Sequence, residues 1–316
     1  MPKGWPVRTE TGSRGPTVVR RPIARMRGGL AAAGALTVMA GLACSADGSE
    51  PNEMESSADV SQMGRGDVPT EERDDLETVF DEAGAEGAFV LHDVHSGTST
   101  VVGSDLARER SVPGPTFELL NSLVALETGA VADVDEAVEH DGSGSATSLR
   151  EALPNSDVAV QRELADRVGS QALHTWVDRF DYGNRAVDDQ NRDDQNRDGQ
   201  HGDGQDWLEG PLEISPMEQT VFLAGLARAE LPVQAEHQRA LHEVVLREQD
   251  QGHSLYATEG WSAEAGTAPG WWIGWVEGQE SLHTFALRLE DSGKEQTQLR
   301  EPLGRELLAE LDVLPA

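Results

Sequence analysis

One segment of the chain has the residue types and spacing of a calcium-binding loop. Asp194, Asn196 and Asp198 alternate along the chain, as do the oxygen ligands in the first half of a loop that binds a hard cation. The twelfth position of such a loop is Gln205 here and not the glutamate that binds calcium with two oxygens. Residues 188–206 repeat short units rich in Asp, Asn and Gly. We therefore favour a low-complexity acidic insertion exposed to solvent, with calcium binding as the weaker alternative.

Two histidines, His92 and His95, are close enough in sequence to suggest a metal pair. The residues around them predict a strand, and side chains three apart on a strand point to opposite faces. We therefore expect no shared metal ion at this pair. The chain has one cysteine, which excludes a disulfide within the chain and a cluster of thiolate ligands. No cofactor is predicted.

The single cysteine has a different predicted chemistry, which is lipid attachment. Residues 1–27 carry seven basic side chains and one acid, and the 16 residues 28–43 carry no charge. A basic segment followed by a short apolar run is typical of a secretory signal, and a membrane-spanning helix needs about 20 apolar residues. The run ends at Cys44 in a pattern that resembles a bacterial lipobox. Residues 1–43 are thus predicted to be a lipoprotein signal peptide, with an ordinary signal peptide as the alternative.

The residues after the cysteine predict a disordered linker and not a folded domain. Residues 44–77 are polar and acidic and have no apolar periodicity, so they predict a disordered tether between the lipid and a folded domain at 78–316. The expected protein is an exported lipoprotein that is anchored to a membrane and faces the periplasm or the cell exterior.

The charge balance limits the partners. The chain has 57 acidic and 25 basic side chains, a formal net charge of −32, and this charge repels phosphate backbones, so no nucleic-acid partner is expected. Only Lys3 and Lys294 are lysines. No serine is followed three residues later by a lysine anywhere in the chain, which removes one common arrangement for serine-based acyl transfer.

The predicted elements that position these residues are two pairs of strands with a run of helices between them. Apolar runs with a turn signal between them predict two N-terminal strands, and two further apolar strands lie near the C-terminus. Helical periodicity fills the chain between these strand pairs. We therefore predict an α+β fold with an antiparallel sheet, helices packed on it, and a helical subdomain. The predicted strands are 88–94, 99–102, 270–277 and 282–290, and the predicted helices are 117–128, 158–168, 172–180, 216–229, 233–247 and 301–311.

Several runs of residues, in the same order along the chain, resemble class D β-lactamases (oxacillinases). This family is part of the serine penicillin-recognising, penicillin-binding transpeptidase-like superfamily. The resemblance implies a mixed sheet with a helical subdomain and an active site between them. The runs are PGPTFELLNSLVALETG at 113–129, NSDVAVQRELADRVG at 155–169, YGN at 182–184, WLEGPLEIS at 207–215 and GWWIGWVE at 270–277.

The resemblance implies acyl transfer, but three of its chemical positions are changed. The family uses a serine nucleophile at the start of a helix and a carboxylated lysine one turn later as general base. Pro115 stands at the serine position and Glu118 at the lysine position. The Lys-Thr-Gly strand motif of the family is matched by a segment that begins at Thr258 and continues with an acid, Glu259.

Four other positions keep the residue types of the family. The resemblance implies that Ser156 shuttles protons, that Trp207 holds the carboxylated lysine, and that Arg300 binds the carboxylate of the substrate. Tyr182 belongs to the retained YGN run. A purely structural reading is also open, in which Tyr182 and Trp207 are core aromatics and Ser156 is a helix N-cap.

These residues support three functions. The favoured prediction is a non-hydrolytic pseudoenzyme that binds or senses a cell-wall or β-lactam-like small ligand, or an envelope protein. The second is an active β-lactam hydrolase in which Glu118 activates a water molecule, and the third is a structural envelope protein. If Glu118 lies in an apolar pocket, its pKa is predicted to exceed the usual value of about 4.3.

Overall fold

The protein is described by a computed structural model over residues 68–140, 142, 144–187, 210–250, 252–260, 269–290 and 296–315. These residues form strands and α-helices that mix along the chain, as the α+β prediction requires. The strands are β1 (Thr70–Glu72), β2 (Gly87–Asp93), β3 (Thr98–Val102), β4 (Val138–His140), β5 (Ser145–Thr147), β6 (Leu246–Gln249), β7 (His253–Gly260), β8 (Gly270–Gly278) and β9 (Leu282–Leu289). The helices are α1 (Glu77–Ala83), α2 (Ser104–Arg108), α3 (Glu118–Thr128), α4 (Leu149–Ala152), α5 (Val158–Val168), α6 (Ser170–Arg179), α7 (Pro216–Ala227), α8 (Ala235–Val245) and α9 (Arg300–Glu310).

Seven of the described strands form one sheet in the order β1-β3-β2-β9-β8-β7-β6, and β4 and β5 form a separate pair. Neighbouring strands of the large sheet are antiparallel, except that β1 pairs in parallel with β3. β1 and β6 are the two outer strands. The sheet is therefore mixed and mainly antiparallel.

The sheet has a hydrophobic core on each face because side chains alternate along its strands. On β8, Trp271 and Trp275 pack with the helices that lie between β3 and β6 in the chain. Trp272, between them, packs with Phe80 of α1 and Leu307 of α9 on the other face. Each of these tryptophans is at most 2% exposed. The sheet therefore separates a helical subdomain from the terminal helices.

Two helix ends have clear local signals in the sequence. Ser215 and Glu218 form a reciprocal capping box at the start of α7, with Pro216 in the first turn. Gly129 ends α3 in the left-handed region, at a φ of 75°, where glycine is favoured. Among the described residues, no helix combines the length and apolar content that crossing a membrane requires.

The structure corrects the predicted C-terminal end of the tether at residue 77. β1 begins at Thr70, and the amide of Ser99 donates a hydrogen bond of 2.8 Å to the carbonyl of Pro69. All three side chains of β1 are exposed, so its pairing uses only backbone groups and leaves no hydrophobic pattern in the sequence. The rest of the predicted tether, 44–67, lies outside the described residues.

A second correction concerns the predicted helix 233–247. The helix α8 ends at Val245, because Leu246 is extended (φ −64°, ψ 120°) and pairs with Tyr256 of β7. Strands β6 and β7 were not among the predicted strands. The four side chains of β6 are exposed, and so they carry little of the alternation from which a strand is predicted.

Candidate functional site

The start of α3 places two of the predicted site residues in the protein interior. A short 3-10 turn, Gly114–Phe117, leads directly into the helix, and Pro115 is buried within this turn. Glu118 is the first residue of α3 and is 1% exposed. The pyrrolidine ring of Pro115 has no nucleophilic atom. The acid is therefore the reactive group at this end of the helix.

The carboxyl group of Glu118 has an unusual environment. Both of its oxygens are buried and have no hydrogen-bond partner within the described part of the chain. Burial raises the pKa of Glu118 well above its usual range, and the negative charge of Asp157 raises it further. The predicted direction of the pKa change is confirmed. Burial therefore favours the neutral acid over the ionised carboxylate at this position.

Helix α5 brings Ser156 and Asp157 to the same site. Asp157 is the N-cap of α5, and its Oδ1 accepts hydrogen bonds from the amides of Ala159 (3.1 Å) and Val160 (3.3 Å). The structural alternative in which Ser156 is the N-cap is therefore wrong. The backbone of Ser156 is left-handed, at a φ of 48°, and its Oγ donates a 3.3 Å hydrogen bond to the carbonyl of Glu259. This bond joins α5 to β7.

A buried polar cluster holds α5 against α3. The side-chain amide of Asn121 donates to Oε1 of Gln161 (2.8 Å) and to its backbone carbonyl (2.9 Å). Nε2 of Gln161 donates to Oγ of Ser122 (3.1 Å). Buried polar groups that satisfy one another fix the relative position of two elements. This cluster therefore sets the position of Asp157 relative to Glu118.

The end of β7 closes against the turn before α3. Thr258 is 4% exposed and pairs with Ile273 of β8. A Cβ atom at Gly260 would lie 2.8 Å from Cγ2 of Thr116 and 2.9 Å from its amide nitrogen. Only glycine permits this approach of the strand to the turn. The residues that the resemblance compares with the Lys-Thr-Gly motif thus lie beside Pro115 and Thr116.

Arg300, at the start of α9, is bound by the same strand. Its Nη2 donates to Oε2 of Glu259 (2.8 Å), and its Nη1 donates to the carbonyl of Gly260 (2.7 Å). Burial lowers the pKa of the Arg300 guanidinium, and the negative charge of Glu259 opposes this effect. The acid next to Thr258 thus pairs with the arginine that the resemblance assigns to the substrate carboxylate.

Tyr182 lies in the core. It is 1% exposed, and its ring contacts Phe117 and Phe222 edge to face. Nε2 of Gln219 donates to the Tyr182 hydroxyl (3.2 Å) and to Oγ1 of Thr116 (2.9 Å). Burial raises the pKa of this hydroxyl. Tyr182 is a core aromatic that supports the turn before α3, in agreement with the structural alternative.

Several predicted residues lie outside the described part of the chain. These are Cys44, Trp207 and the weak calcium candidates Asp194, Asn196 and Asp198. The acidic insertion 188–206 lies there as well, so these predictions stay as they were made. The two histidines are described: His92 is buried on β2, with its Nδ1 3.0 Å from Oγ of Ser99, and His95 follows the end of that strand.

Sequence reasoning missed Asp157 as a site residue and also missed a group of possible metal ligands. Glu248, Asp250 and His253 each offer a ligand atom, and these atoms lie within 4.8 Å of one another at the turn between β6 and β7. The guanidinium of Arg305 donates to Oε2 of Glu248 over 3.1 Å, so a cation already lies at this turn. The only sequence signal is the close spacing of three ligand-type residues.

Comparison of the sequence with models of protein families identifies the family of this chain. The penicillin-binding protein transpeptidase domain matches residues 88–309. The chain belongs to the penicillin-binding transpeptidase family. The matched range extends from β2 into α9 and contains every described site residue.

Relatives within the penicillin-binding transpeptidase family are β-lactamases. The chain is 31% identical to β-lactamase OXA-15 of Pseudomonas aeruginosa over 256 residues, which cover 78% of this chain and 87% of that protein. It is 31% identical to β-lactamase OXA-2 of Salmonella typhimurium over the same length and coverage. It is 27% identical to the probable β-lactamase YbxI of Bacillus subtilis over 215 residues, or 66% of this chain and 76% of that protein.

Solved structures agree with these relatives. The class D β-lactamase FUS-1 (OXA-85) of Fusobacterium nucleatum superposes with a TM-score of 0.69 at 28% identity, over 77% of this chain and all of that one. A class D β-lactamase YbXI from Nostoc also gives a TM-score of 0.69, at 26% identity, over 76% of this chain and 99% of that one. The resemblance to class D β-lactamases and the α+β fold are confirmed.

Proposed function

We propose that this member of the penicillin-binding transpeptidase family binds or senses a small ligand in the cell envelope without hydrolysing it. One observation carries the proposal, and it is the pair of residues at the start of α3. Pro115 has no nucleophilic atom, and the buried carboxyl of Glu118 has no hydrogen-bond partner among the described residues. The resemblance to class D β-lactamases puts the serine and the lysine of acyl transfer at these two positions.

The environment of Glu118 argues against the alternative of an active hydrolase. A general base must be ionised to take a proton from water. Burial and the charge of Asp157 both raise the pKa of Glu118, which favours its protonated form and weakens it as a base. No lysine follows a serine at a spacing of three anywhere in this chain. The lysine that serves as general base in the family is therefore missing, even if the serine position is shifted along the sequence.

The ligand class follows from the retained fold. The relatives are named as β-lactamases, so a β-lactam-like or cell-wall-derived small molecule is the proposed ligand of the site formed by α3, α5 and β7. An envelope protein that uses the same site is the remaining candidate partner.

Export and anchoring are part of the proposal and rest on the sequence. The basic segment, the uncharged run 28–43 and Cys44 together support a lipoprotein signal that is cleaved before the cysteine. The lipid on Cys44 then holds the domain at a membrane, facing the periplasm or the cell exterior.

The proposal is tested with the purified protein, nitrocefin and benzylpenicillin. We expect no nitrocefin turnover above a heat-denatured control, because acylation needs a nucleophile. We also expect the intact mass of the protein to be unchanged after incubation with benzylpenicillin. Saturable turnover, or a stable adduct on any residue, would show that the protein is a hydrolase or an acylated binding protein.

A further inference from the structure

Two acidic side chains, those of Glu118 and Asp157, lie where α3 and α5 pack against each other. Glu118 is 1% exposed, and neither of its carboxyl oxygens has a hydrogen-bond partner among the described residues. The negative charge of Asp157, at the start of α5, acts on that carboxyl. The backbone of Glu259 borders this cluster, because its carbonyl accepts the hydrogen bond from Ser156 that joins α5 to β7.

The positive charge near this cluster is already used. The Arg300 guanidinium donates to the carboxylate of Glu259 and to the carbonyl of Gly260. Both bonds direct the cation to the end of β7. Asp157 adds a negative charge near the Glu118 carboxyl. Within the described part of the chain, no hydrogen-bond donor reaches that carboxyl.

We propose that this cluster binds the protonated primary amine of a small ligand, with Glu118 as its ion-pair partner and the Ser156 hydroxyl as a further acceptor. The inference rests on the proposed binding function and specifies the ligand class for the same site. A buried carboxyl without a hydrogen-bond partner is destabilising, and an ammonium group supplies the missing donors. A carboxylate on the ligand would be repelled by these acidic side chains, so the site disfavours anionic ligands.

An ammonium group fits better than a metal ion. It has three N–H donors and no acceptor, which matches a carboxylate whose two oxygens have no partner among the described residues. Calcium takes at least six oxygen ligands. Asp157 cannot supply several of them, because its Oδ1 already accepts hydrogen bonds from two backbone amides.

Binding of an amine changes the protonation of Glu118. Burial favours the protonated form of this acid in the free protein, and an ammonium group pairs best with its ionised form. Binding therefore releases a proton, and affinity increases with pH until Glu118 ionises without the ligand. The other charged groups of the site are Asp157 on α5, Glu259 on β7 and Arg300 on α9.

The test is a calorimetric titration of the whole protein with n-butylammonium chloride. Butan-1-ol and sodium butyrate are matched probes of the same chain length, one neutral and one anionic. We expect saturable binding of butylammonium and none of butan-1-ol or butyrate. The binding enthalpy should differ between phosphate and Tris buffers, because a released proton is taken up by the buffer.

Two variants identify the partner of the amine. Glu118→Gln keeps the shape of the side chain and removes its charge, and we expect affinity for butylammonium to fall at least about tenfold, as for a lost ion pair. Ser156→Ala should weaken binding several-fold. The control Glu139→Gln changes an exposed acid on β4 and should leave affinity unchanged.

Three results would overturn the inference. They are the absence of saturable butylammonium binding, equal binding of butan-1-ol, and unchanged affinity in a folded Glu118→Gln variant. Circular dichroism of each variant shows whether it is folded. None of these results touches the nitrocefin and mass measurements, so the proposed non-hydrolytic function stands or fails separately.

Discussion

Nη2 of Arg300 donates a 2.8 Å hydrogen bond to Oε2 of Glu259, and this pair ties the start of α9 to the end of β7. The arginine side chain is 9% exposed and the glutamate side chain 40% exposed. The carboxylate of an external ligand would have to compete with a carboxylate that is part of the protein. The carboxylate of Glu259 thus occupies the position on Arg300 that the resemblance assigns to the substrate carboxylate.

The first prediction follows for anionic lactams. We expect benzylpenicillin to bind no more tightly than about 1 mM, a free energy of about −4 kcal/mol. Glu259→Gln should strengthen this binding several-fold, since it removes the competing negative charge and keeps the side-chain shape. Calorimetry at several salt concentrations measures both values, with Glu139→Gln as the control. Micromolar affinity of the unchanged protein, weakening with salt, would show that the site presents a positive charge to its ligand.

Hydrolysis should be difficult to restore. Pro115→Ser supplies a nucleophile but no effective base, because burial raises the pKa of Glu118 and its side chain lacks the reach of a carboxylated lysine. We expect no nitrocefin turnover from this single variant, and none from Glu118→Lys alone. The double variant is the smallest change that supplies both groups. Turnover by either single variant, above the heat-denatured control, would contradict the roles assigned to these positions.

The burial of Glu118 predicts a dependence of stability on pH. Its pKa is raised in the folded state, so above the unfolded pKa, near 4.5, the unfolded chain loses this proton while the folded protein keeps it. The free energy of unfolding then decreases with increasing pH by about 1.4 kcal/mol per unit from this residue, until the folded pKa is reached. Below the unfolded pKa the contribution is fully present.

Glu118→Gln should remove this dependence. We expect the variant to be more stable than the unchanged protein at pH 7, by about 1–3 kcal/mol, and nearly equal to it at pH 4. Urea unfolding across this pH range measures the difference, with Glu139→Gln as the exposed control. A variant that is less stable than the unchanged protein at pH 7 would mean that the folded carboxyl has a stabilising partner.

The close approach of β7 to the turn before α3 predicts the effect of a single methyl group. Gly260→Ala places a Cβ within 2.9 Å of the Thr116 amide nitrogen, and backbone cannot move aside as a flexible side chain can. We expect a loss of stability of about 1–3 kcal/mol. Gly252→Ala is the control, since its nearest contact is 3.5 Å, to a carboxylate oxygen of Asp250. Equal stability of the two variants would show that the turn shifts freely.

Anchoring is tested by changing the cysteine. We expect Cys44→Ala to release the protein from membranes into the soluble fraction, because no thiol remains for lipid attachment. Ser45→Ala, one residue later, is the matched control and should stay with the membranes. Fractionation and detection of both variants give the answer. Unchanged membrane association of the cysteine variant would mean that another part of the protein is the anchor.

The elements with strong local signals could be predicted from the sequence. The apolar periodicity and the glycine of α3, the capping box of α7 and the apolar runs of β8 and β9 each specify an element over a few neighbouring residues. The family resemblance then located Pro115, Glu118 and Thr258 at one site. These are properties of single segments, which an amino-acid sequence records directly.

The pairings between distant segments could not be predicted. Glu259 and Arg300 are separated by 40 residues, and neither residue type indicates that the other is its partner. That no described residue is a hydrogen-bond partner of Glu118 depends on every element packed around it. All the side chains of β1 are exposed, so the strand joins the sheet through backbone hydrogen bonds that leave no pattern in the sequence. Such features arise only when the chain has folded.

The two outer strands of the sheet determine whether sheets of neighbouring molecules can pair edge to edge. β1 has three residues and β6 has four, and all of their side chains are exposed. Each strand carries charged residues, Glu71 and Glu72 on one and Arg247 and Glu248 on the other. A neighbouring molecule that added a strand at either edge would gain few backbone hydrogen bonds and would crowd these charges. The protein is therefore protected against edge-to-edge aggregation, even at the high local concentration that attachment to a membrane surface would create.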